Sequence, residues 1–381
     1  MKLLIITDHY LPGYKAGGPI KSIETLCNNI KKVFHVTVMT SNFDLGEANP
    51  YENILSDKIL NFNSHKIIYL SDVKLVKIKL FINKIEPDLI YLNSFFSKFT
   101  QIVLLLKKFR IIRTKVILAP RGELSMGALS IKPIKKSIYL NLFKFLNIYN
   151  KDIFFHATDQ IEKKDIEKLF GNKVFSIPNL ISLNDEHALI TAKQKNKLKI
   201  IYLSRISEKK NLLYALEVLV TNKYDGIIEF DIYGPIEDVC YWKRCKYLII
   251  QANQNIQIKY KGSIKPEHVK NILRKNNVFF LPTKSENFGH AIVEAMQCGV
   301  VPIVSDQTPW NDLEEYNAGF SLNLENQQHF KDAINKLLVL SENDFQCMSI
   351  NVQKYIKSKI NNKNVTAQYI KMFETPHIQA N

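Results

Sequence analysis

The sequence predicts an α/β protein of two doubly wound, Rossmann-like domains that face each other across a cleft. Short apolar runs alternate with helical stretches along the whole chain, which is the pattern of parallel sheets covered by helices. A polar, charged segment at residues 182–197 interrupts the alternation near the middle of the 381 residues. We therefore predict an N-terminal domain at residues 1–190 and a C-terminal domain at 191–381, whose final helix can pack back on the first domain.

The individual elements follow from the apolar runs. In the first half, buried strands are predicted at residues 2–7, 36–40, 89–92, 115–119, 153–157 and 173–177, with a helix at 20–33. In the second half, the strands are predicted at 198–203, 227–233, 256–260, 278–281 and 300–305. Helical composition separates them, as βαβ units require.

Composition narrows the class of protein. A net charge of +16, stronger in the first half, suggests a polyanionic partner, although a Lys-, Ile- and Asn-rich genome explains part of it. No apolar run approaches the ~18 residues that span a bilayer, and the apolar start is too short for a signal peptide. We expect a cytoplasmic protein that is peripheral on the inner face of the membrane. The five cysteines are irregularly spaced and predict reduced thiols rather than a zinc site.

The most informative pattern lies after the predicted strand at 278–281. Glu286 and Glu294 flank a Phe288–Gly289 turn and have seven residues between them. Glu286 should therefore lie in a loop at the carboxyl edge of a sheet, where open α/β sheets bind ligands. The backbone amides of Gly289 and His290, at the start of the next helix, suit an anion such as a phosphate.

This pattern resembles the Glu-x7-Glu signature of the retaining, nucleotide-sugar-dependent glycosyltransferases of family four, which have the GT-B fold. The resemblance covers nearly the whole chain, with its strongest motifs between residues 198 and 320. It implies that Glu286 contacts the donor sugar and that Glu294 holds the ribose, with Phe288, Gly289 and His290 lining the donor pocket. It also implies metal-independent chemistry that needs a nucleotide-sugar donor and no cofactor.

Two cations follow the predicted strand at 198–203. Arg205 carries a planar fork and Lys210 a compact charge, and beside a helix N-terminus such a pair suits a diphosphate. Their spacing resembles the family's diphosphate-binding pair, which stabilises the leaving nucleotide in place of a metal. We therefore expect catalytic roles for Arg205, Lys210 and Glu286. A basic surface turn is the alternative, because Lys209 is also cationic.

Glycine turns mark the remaining candidate contacts with the donor. Gly234 ends the strand at 227–233, and in the family the loop that follows lines the nucleotide pocket. Lys261 and Gly262 resemble the family's segment near the nucleobase, and we take a UDP-sugar as the expected donor. In the first half, Gly17 and Gly18 lie between a strand and a helix, so their backbone can approach a phosphate or sugar closely.

The first half departs from the family at the end of the strand at 115–119. Many members have a His-Gly pair there, whereas this chain has Arg121 in a Pro-Arg-Gly segment. We expect Arg121 or Glu123 to contact substrate, with Arg121 assigned a catalytic role, and the identity of any acceptor base stays open. His156 is interpreted as a core residue, with a catalytic role as the alternative.

Two stretches of the first half combine apolar and basic residues. Residues 95–113 mix four phenylalanines with Lys and Arg, and residues 131–151 place apolar side chains at helical spacing beside lysines. A basic amphipathic helix lies on anionic lipid, and core helices with solvated lysines are the alternative. Family members that act on lipid-linked acceptors use the N-terminal domain in this way.

Together these features predict a retaining transferase that moves a hexose from a UDP-sugar to a hydroxyl of a lipid-linked saccharide, in bacterial surface polysaccharide or O-antigen synthesis. Two alternatives remain. One is a non-catalytic protein that binds sugars or polyanions, and the other is a GT-B nucleotide-sugar epimerase, which would need catalytic acids and histidines that are not evident in the first half. Nucleic acid is not an expected partner, because the basic residues are mostly Lys and lack aromatics spaced for base stacking.

Overall fold

The structure is a computed structural model that describes residues 1–129, 133–146, 148, 153–171, 174–181 and 192–378. The chain divides into two compact units. Unit 1 comprises Met1–Ser182 and Asn361–Asn381, and unit 2 comprises Leu183–Ile360. Each unit contains one sheet, with helices between most of its successive strands.

The strands have the following bounds: β1 (Lys2–Ile6), β2 (His35–Ser41), β3 (Ile59–Phe62), β4 (His65–Leu70), β5 (Leu89–Asn93), β6 (Lys115–Ala119), β7 (Ile153–Ala157), β8 (Val174–Ser176), β9 (Lys197–Leu203), β10 (Ile227–Tyr233), β11 (Ile256–Gly262), β12 (Val278–Leu281), β13 (Val301–Ser305) and β14 (Phe320–Leu322).

The helices have the following bounds: α1 (Gly18–Ile30), α2 (Leu75–Ile85), α3 (Lys98–Lys108), α4 (Met126–Leu129), α5 (Pro133–Phe145), α6 (Gln160–Phe170), α7 (Leu212–Val220), α8 (Val239–Ile250), α9 (Pro266–Leu273), α10 (His290–Gln297), α11 (Gln327–Val339), α12 (Glu342–Lys359) and α13 (Asn362–Ile378). A 3-10 turn, Glu208–Lys210, precedes α7.

The sheet of unit 1 has the order β3-β4-β2-β1-β5-β6-β7-β8. Its neighbouring strands run parallel, except that β3 and β4 form an antiparallel edge. Because β1 lies between β2 and β5, the direction in which the chain crosses the sheet reverses at β1. This reversal is a topological switch point, the place where ligands bind in open α/β sheets.

The last helix of the chain is part of unit 1. In α13, Tyr369, Met372 and Phe373 are buried in the same core cluster as Leu3 and Ile5 of β1, and the helix contacts α1. The chain therefore returns to its first sheet after completing unit 2.

The sheet of unit 2 has the order β11-β10-β9-β12-β13-β14, and every neighbouring pair is parallel. Its central strand β12 is buried along its whole length, as expected for a strand covered by helices on both faces. The helix that follows, α10, lies between Gly289 at φ 77° and Gly299 at φ 73°. These left-handed glycines fix where the helix begins and ends.

The predicted architecture of two doubly wound, Rossmann-like units is confirmed. The antiparallel β3–β4 edge and the short β14 were not predicted. The predicted boundary at residue 190 falls within residues 182–191, which lie outside the described residues. In the described part of the chain, no helix combines the length and apolar character needed to cross a bilayer.

Candidate active site

The loop between β12 and α10 carries Glu286 at the carboxyl edge of the unit 2 sheet. The Glu286 amide donates to the carbonyl of Gln307 at 2.9 Å, which fixes the loop. Gly289 caps α10 in a left-handed conformation, and a Cβ there would lie 2.7 Å from Ile292 Cδ1 and 3.2 Å from Glu286 Cγ. Only glycine therefore satisfies both the backbone angle and the available space at this position.

Glu286 forms an ion pair with Lys210, whose ammonium donates to Glu286 Oε2. The Lys210 and Glu286 side chains are only 12% and 17% exposed, respectively. Burial opposes ionisation of Glu286, but the charge and hydrogen bond of Lys210 outweigh it and lower the pKa of the carboxyl. Glu286 is therefore an anion at neutral pH, held against a cation at the sheet edge.

The loops after β9 and β12 are tied together through the backbone of Lys209. Its carbonyl accepts from the Lys284 amide at 2.8 Å and from Thr283 Oγ1 at 3.0 Å. Burial, and then the neighbouring charge of Lys210, lower the pKa of Lys209. A negative charge beside Lys209 would offset both effects, because it favours the charged form of the amine.

Arg205 follows β9 and is held less tightly than Lys210. It pairs with Glu237 at 3.1 Å, and the two side chains are 38% and 46% exposed. The hydroxyl of Tyr202 lies 3.3 Å from the carbonyls of both Arg205 and Lys210 and so fixes the turn that carries them. Lys210 closes the 3-10 turn, and Asn211, at φ 58°, separates that turn from α7.

Glu294 lies on α10, one turn after His290, and is partly exposed. Phe288 is buried, and its carbonyl accepts from Trp310 Nε1 at 2.7 Å. The Phe288 ring is 4.7 Å from the His290 ring and 5.8 Å from the Trp310 ring, measured between centroids. Trp310 supports the turn from a distant part of the chain, and the sequence offered no local signal for it.

The glycine turns after β10 and at the end of β11 meet at the same sheet edge. The Gly234 amide donates to the carbonyl of Gly262 at 2.9 Å. Gly234 has φ 141°, and a Cβ there would lie 1.9 Å from the Ser204 carbonyl oxygen, so the backbones approach too closely for a side chain. Lys261 lies beside them, with its ammonium 4.0 Å from Asp231 and largely in solvent.

In unit 1, Gly17 and Gly18 end the loop that leads into α1. Gly17 has φ 69° with no atom within 4 Å of an added Cβ, so open space surrounds it. The carboxylate of Asp44 holds the preceding residues, accepting from the amides of Tyr14 at 3.0 Å and Lys15 at 3.2 Å. Sequence reasoning missed Asp44, because the contact joins residues about thirty positions apart.

Arg121 is occupied by neighbours within unit 1. Its guanidinium donates to Asn93 Oδ1 at 2.8 and 3.0 Å, to the Tyr91 hydroxyl at 3.1 Å and to Asn179 Oδ1 at 2.5 Å. The residue itself has φ 58°. These bonds join the ends of β5 and β6 to the segment after β8, so the guanidinium is a rigid part of the sheet edge.

Glu123 and His156 also have internal partners. The Glu123 carboxylate accepts from Ser94 Oγ at 2.8 Å and from the amides of Phe95 and Phe96 at 2.6 and 3.0 Å, while burial raises its pKa. His156 is fully buried beside a carbonyl and a tyrosine hydroxyl, and burial lowers its pKa to about 3. His156 is therefore a neutral core residue, as interpreted from the sequence.

Other potential ligand groups are sparse. In the ranges that the structure describes, no three His, Cys, Asp or Glu side chains come together in a way that could hold a metal ion. All five cysteines are free thiols. The buried thiols are Cys27, Cys245 and Cys298, and the exposed thiols are Cys240 and Cys347.

The second unit matches a known family. Residues 184–353 match the family model described as glycosyl transferases group 1. The GDP-mannose:cellobiosyl-diphosphopolyprenol alpha-mannosyltransferase of Xanthomonas oryzae pv. oryzae (strain PXO99A) is 30% identical over 174 residues, which are 45% of this chain and 45% of that protein. The chain thus spans less than half the length of this curated relative.

Solved structures match over nearly the whole chain. Sucrose-phosphate synthase from Thermosynechococcus elongatus has a TM-score of 0.76 at 14% identity, with both chains covered completely. Anabaena HepE in complex with UDP-glucose has a TM-score of 0.68 at 15% identity, over 98% of this chain and 100% of that one. Residues 184–353 are therefore similar to the glycosyl transferases group 1, and the chain as a whole has the GT-B fold.

Proposed function

We propose that this protein is a retaining, metal-independent glycosyltransferase that moves a hexose from a UDP-sugar to a hydroxyl of a lipid-linked saccharide in bacterial surface polysaccharide synthesis. The observation that carries the proposal is the buried Lys210–Glu286 pair beside Arg205 and the N-terminus of α10. Such a corner offers both cations for a diphosphate and a carboxylate for sugar hydroxyls.

In the proposed donor complex, Arg205 and Lys210 hold the diphosphate. A phosphate can replace the Glu237 carboxylate beside Arg205 at little cost in folding stability, because this ion pair is exposed. Lys210 can face the phosphate while keeping Glu286 ionised, and the amides of Gly289 and His290 add the helix N-terminus. Glu286 then accepts hydroxyls of the donor sugar.

The remaining donor contacts belong to the nucleoside. Glu294 lies on α10 at a point where it can accept the two ribose hydroxyls. The backbone of Gly234, Lys261 and Gly262 forms a close-packed rim that can contact the base without intervening side chains. UDP is the proposed nucleotide because HepE binds UDP-glucose, whereas the Xanthomonas relative is named for GDP-mannose.

Transfer with retention follows from a front-face substitution. The bond from the anomeric carbon to the diphosphate breaks, and its electron pair leaves on the nucleotide. The acceptor oxygen bonds to the same face of the sugar, and its proton passes to the departing phosphate oxygen. Arg205 and Lys210 stabilise the charge that develops on the leaving group, and such fixed electrostatic stabilisation is commonly the largest catalytic effect.

A lipid-linked acceptor is supported by the surface of α5. Four apolar side chains spaced along one face of this helix are each at least 50% exposed: Ile134, Ile138, Leu142 and Phe145. Leu140 and Phe143, on the other face, are buried in unit 1. Lysines flank the exposed stripe, so α5 suits an anionic lipid surface. The Xanthomonas relative is named for a diphosphopolyprenol acceptor.

The first test is a thermal-shift panel of UDP, GDP, ADP, TDP and their sugars. Stabilisation by one nucleotide, lost in Arg205→Ala, would support the donor site and identify the base. Arg244→Ala is the control, because it removes another exposed arginine–glutamate pair, with Glu208 at 3.2 Å. No shift with any nucleotide, together with a shift on anionic vesicles or nucleic acid, would favour a polyanion-binding protein instead.

A further inference from the structure

The switch point of the unit 1 sheet carries a carboxylate that the proposed donor chemistry does not use. Asp8 is the second residue after β1, and Ser97 follows β5 on the other side of the switch point. Ser97 Oγ donates to Asp8 Oδ1 and also accepts from the Phe99 amide at 3.1 Å, where it caps α3. Asp8 is thereby fixed at the place where open α/β sheets bind ligands.

The Asp8 backbone is equally constrained. Its carbonyl oxygen accepts from Thr40 Oγ1 at 3.1 Å and from Ser41 Oγ at 2.7 Å, at the end of β2. Hydrogen bonds therefore fix both the backbone carbonyl and one carboxyl oxygen of Asp8. The side chain needs no rearrangement to bind a ligand, and such preorganisation lowers the free-energy cost of binding.

The second oxygen of Asp8 has unused capacity. Among the residues that the structure describes, none donates a hydrogen bond to Asp8 Oδ2, although the side chain is only partly exposed. Burial raises the pKa of this carboxyl despite the hydrogen bond of Ser97 and the nearby His9. This oxygen can therefore accept a hydrogen bond from a ligand hydroxyl in place of water.

The surroundings select the chemical class of that ligand. Glu123 is close enough to Asp8 for its pKa to be raised by the Asp8 charge as well as by burial. Its own oxygens are used by Ser94 and two backbone amides. Two carboxyl groups disfavour a phosphate or another anion at this point. A neutral molecule rich in hydroxyl donors fits, and a saccharide is such a molecule.

We propose that Asp8, at the β1–β5 switch point, is a specificity residue for the acceptor, and that its Oδ2 accepts a hydrogen bond from a hydroxyl of the acceptor saccharide. The inference rests on the proposed function, because it assigns the second substrate of the same reaction. A hydrogen bond to a charged acceptor corresponds to an effect of about 10- to 100-fold on acceptor binding. Asp8 therefore acts on the acceptor, while the residues of unit 2 act on the donor.

His9 is the competing candidate at this edge. Its Nδ1 lies 3.0 Å from the Phe43 carbonyl, so Nδ1 is the donor and Nε2 keeps its lone pair in the neutral ring. Phe43 follows β2, however, so His9 is anchored on the side of β1 away from the switch point. His9→Gln therefore serves to distinguish the two residues.

The test uses the full chain with the nucleotide-sugar that stabilises it. Transfer is measured to a panel of n-octyl hexopyranosides, their monodeoxy analogues and cellobiosyl-diphosphopolyprenol. Asp8→Asn should raise the acceptor KM about 10- to 100-fold and leave the donor-induced thermal shift unchanged. In the wild type, the monodeoxy analogue that lacks the hydroxyl bound by Asp8 should have a higher KM than its parent hexoside. In Asp8→Asn, the two KM values should be similar. Asp88→Asn is the control, because Asp88 is exposed at the opposite edge of the same sheet, where it accepts from the Lys2 amide at 2.7 Å.

Several outcomes would overturn the inference. An unchanged acceptor KM in Asp8→Asn, or an equal loss of donor binding, would show that Asp8 does not contact the acceptor. Loss of transfer in His9→Gln alone would assign the acceptor contact to His9. If Asp8→Asn folds poorly, Asp8→Glu, which keeps the charge but displaces it, is subject to the same criteria. Failure of the wild-type chain to bind any nucleotide-sugar, or to transfer to any member of the panel, would instead refute the proposed function.

Discussion

Lys210→Ala would leave Glu286 as a buried charge without its main partner. In the wild-type protein, burial is the largest influence on Glu286 and acts to raise its pKa, and Lys210 provides the largest opposing influence. Without Lys210, burial should prevail, so the pKa of Glu286 should rise above its ordinary value. At neutral pH the folded variant then carries an uncompensated anion.

The expected loss of folding stability in Lys210→Ala depends on how exposed the Lys210–Glu286 pair is. Removing one partner of a fully buried ion pair costs ~3–5 kcal/mol. Because Lys210 and Glu286 keep 12% and 17% exposure, we expect about 2 kcal/mol at pH 7, or a fall in Tm of about 4–8 °C for unit 2. The double variant Lys210→Ala, Glu286→Gln should recover most of this loss, since it removes the unpaired charge.

The loss should depend on pH with a definite sign. In the wild type, the pKa of Glu286 is depressed below 4.5, so its contribution to stability is present above 4.5 and is lost as pH falls through the depressed value. In Lys210→Ala the pKa is raised. The penalty should then be absent below about pH 4.5 and grow as pH rises through the raised value, so the variant approaches wild-type stability on acidification.

Differential scanning calorimetry at pH 5 and pH 7 would measure these effects, with nucleotide-sugar turnover followed in parallel. Lys197→Ala is the control, because the Lys197–Glu229 pair at 2.7 Å is about one-third exposed and should contribute less than ~1 kcal/mol. Turnover should fall about 100-fold or more in Lys210→Ala and in the double variant. An equal loss of Tm at both pH values, or no recovery in the double variant, would contradict the account of the pair.

Three further outcomes are expected. Gly289→Ala should cost about 1–3 kcal/mol more than Gly262→Ala in unfolding experiments, because both have φ 77° but only the Cβ at Gly289 meets a side chain, at 2.7 Å; equal costs would argue against the steric reason. Ile138→Glu should weaken sedimentation with anionic vesicles about tenfold or more, whereas Ile250→Glu, on an exposed position of α8, should not. Arg121→Lys should destabilise unit 1 by about 2 kcal/mol, since an ammonium cannot make all the bonds of the guanidinium fork; an unchanged Tm would show that these bonds contribute little.

The predicted strands were reliable where the chain is buried on both faces. β1, β5, β6 and β12 are short, continuous apolar runs, and such runs identify central strands of parallel sheets without tertiary information. The same logic placed Glu286 after a strand and at a sheet edge. The edge strand β3 was missed because none of its residues is fully buried. β4 was missed as well, although its residues 67–70 form a buried apolar run.

Contacts between distant segments could not be predicted from local patterns. The local sequence of the Pro-Arg-Gly segment did not indicate that the Arg121 guanidinium bonds to residues 28 to 58 positions away. Likewise, nothing in residues 361–378 indicates that Tyr369 and Phe373 pack with β1. The apolar face of an amphipathic helix indicates that it packs against another part of the protein, but not which segment it contacts.

The family match and the fold match cover different extents of the chain, and physical chemistry gives a reason. The match to group 1 glycosyl transferases ends at residue 353 and begins at 184, within unit 2, whereas the structural likeness extends over the whole chain at 14% identity. A Rossmann-like fold requires only periodic burial, which many sequences satisfy. A diphosphate, by contrast, demands particular cations at a helix N-terminus, and in the proposed function Arg205 and Lys210 of unit 2 are these cations. If the acceptor binds unit 1, its recognition requires only hydroxyl partners, which Asp8 and many other residue combinations can supply.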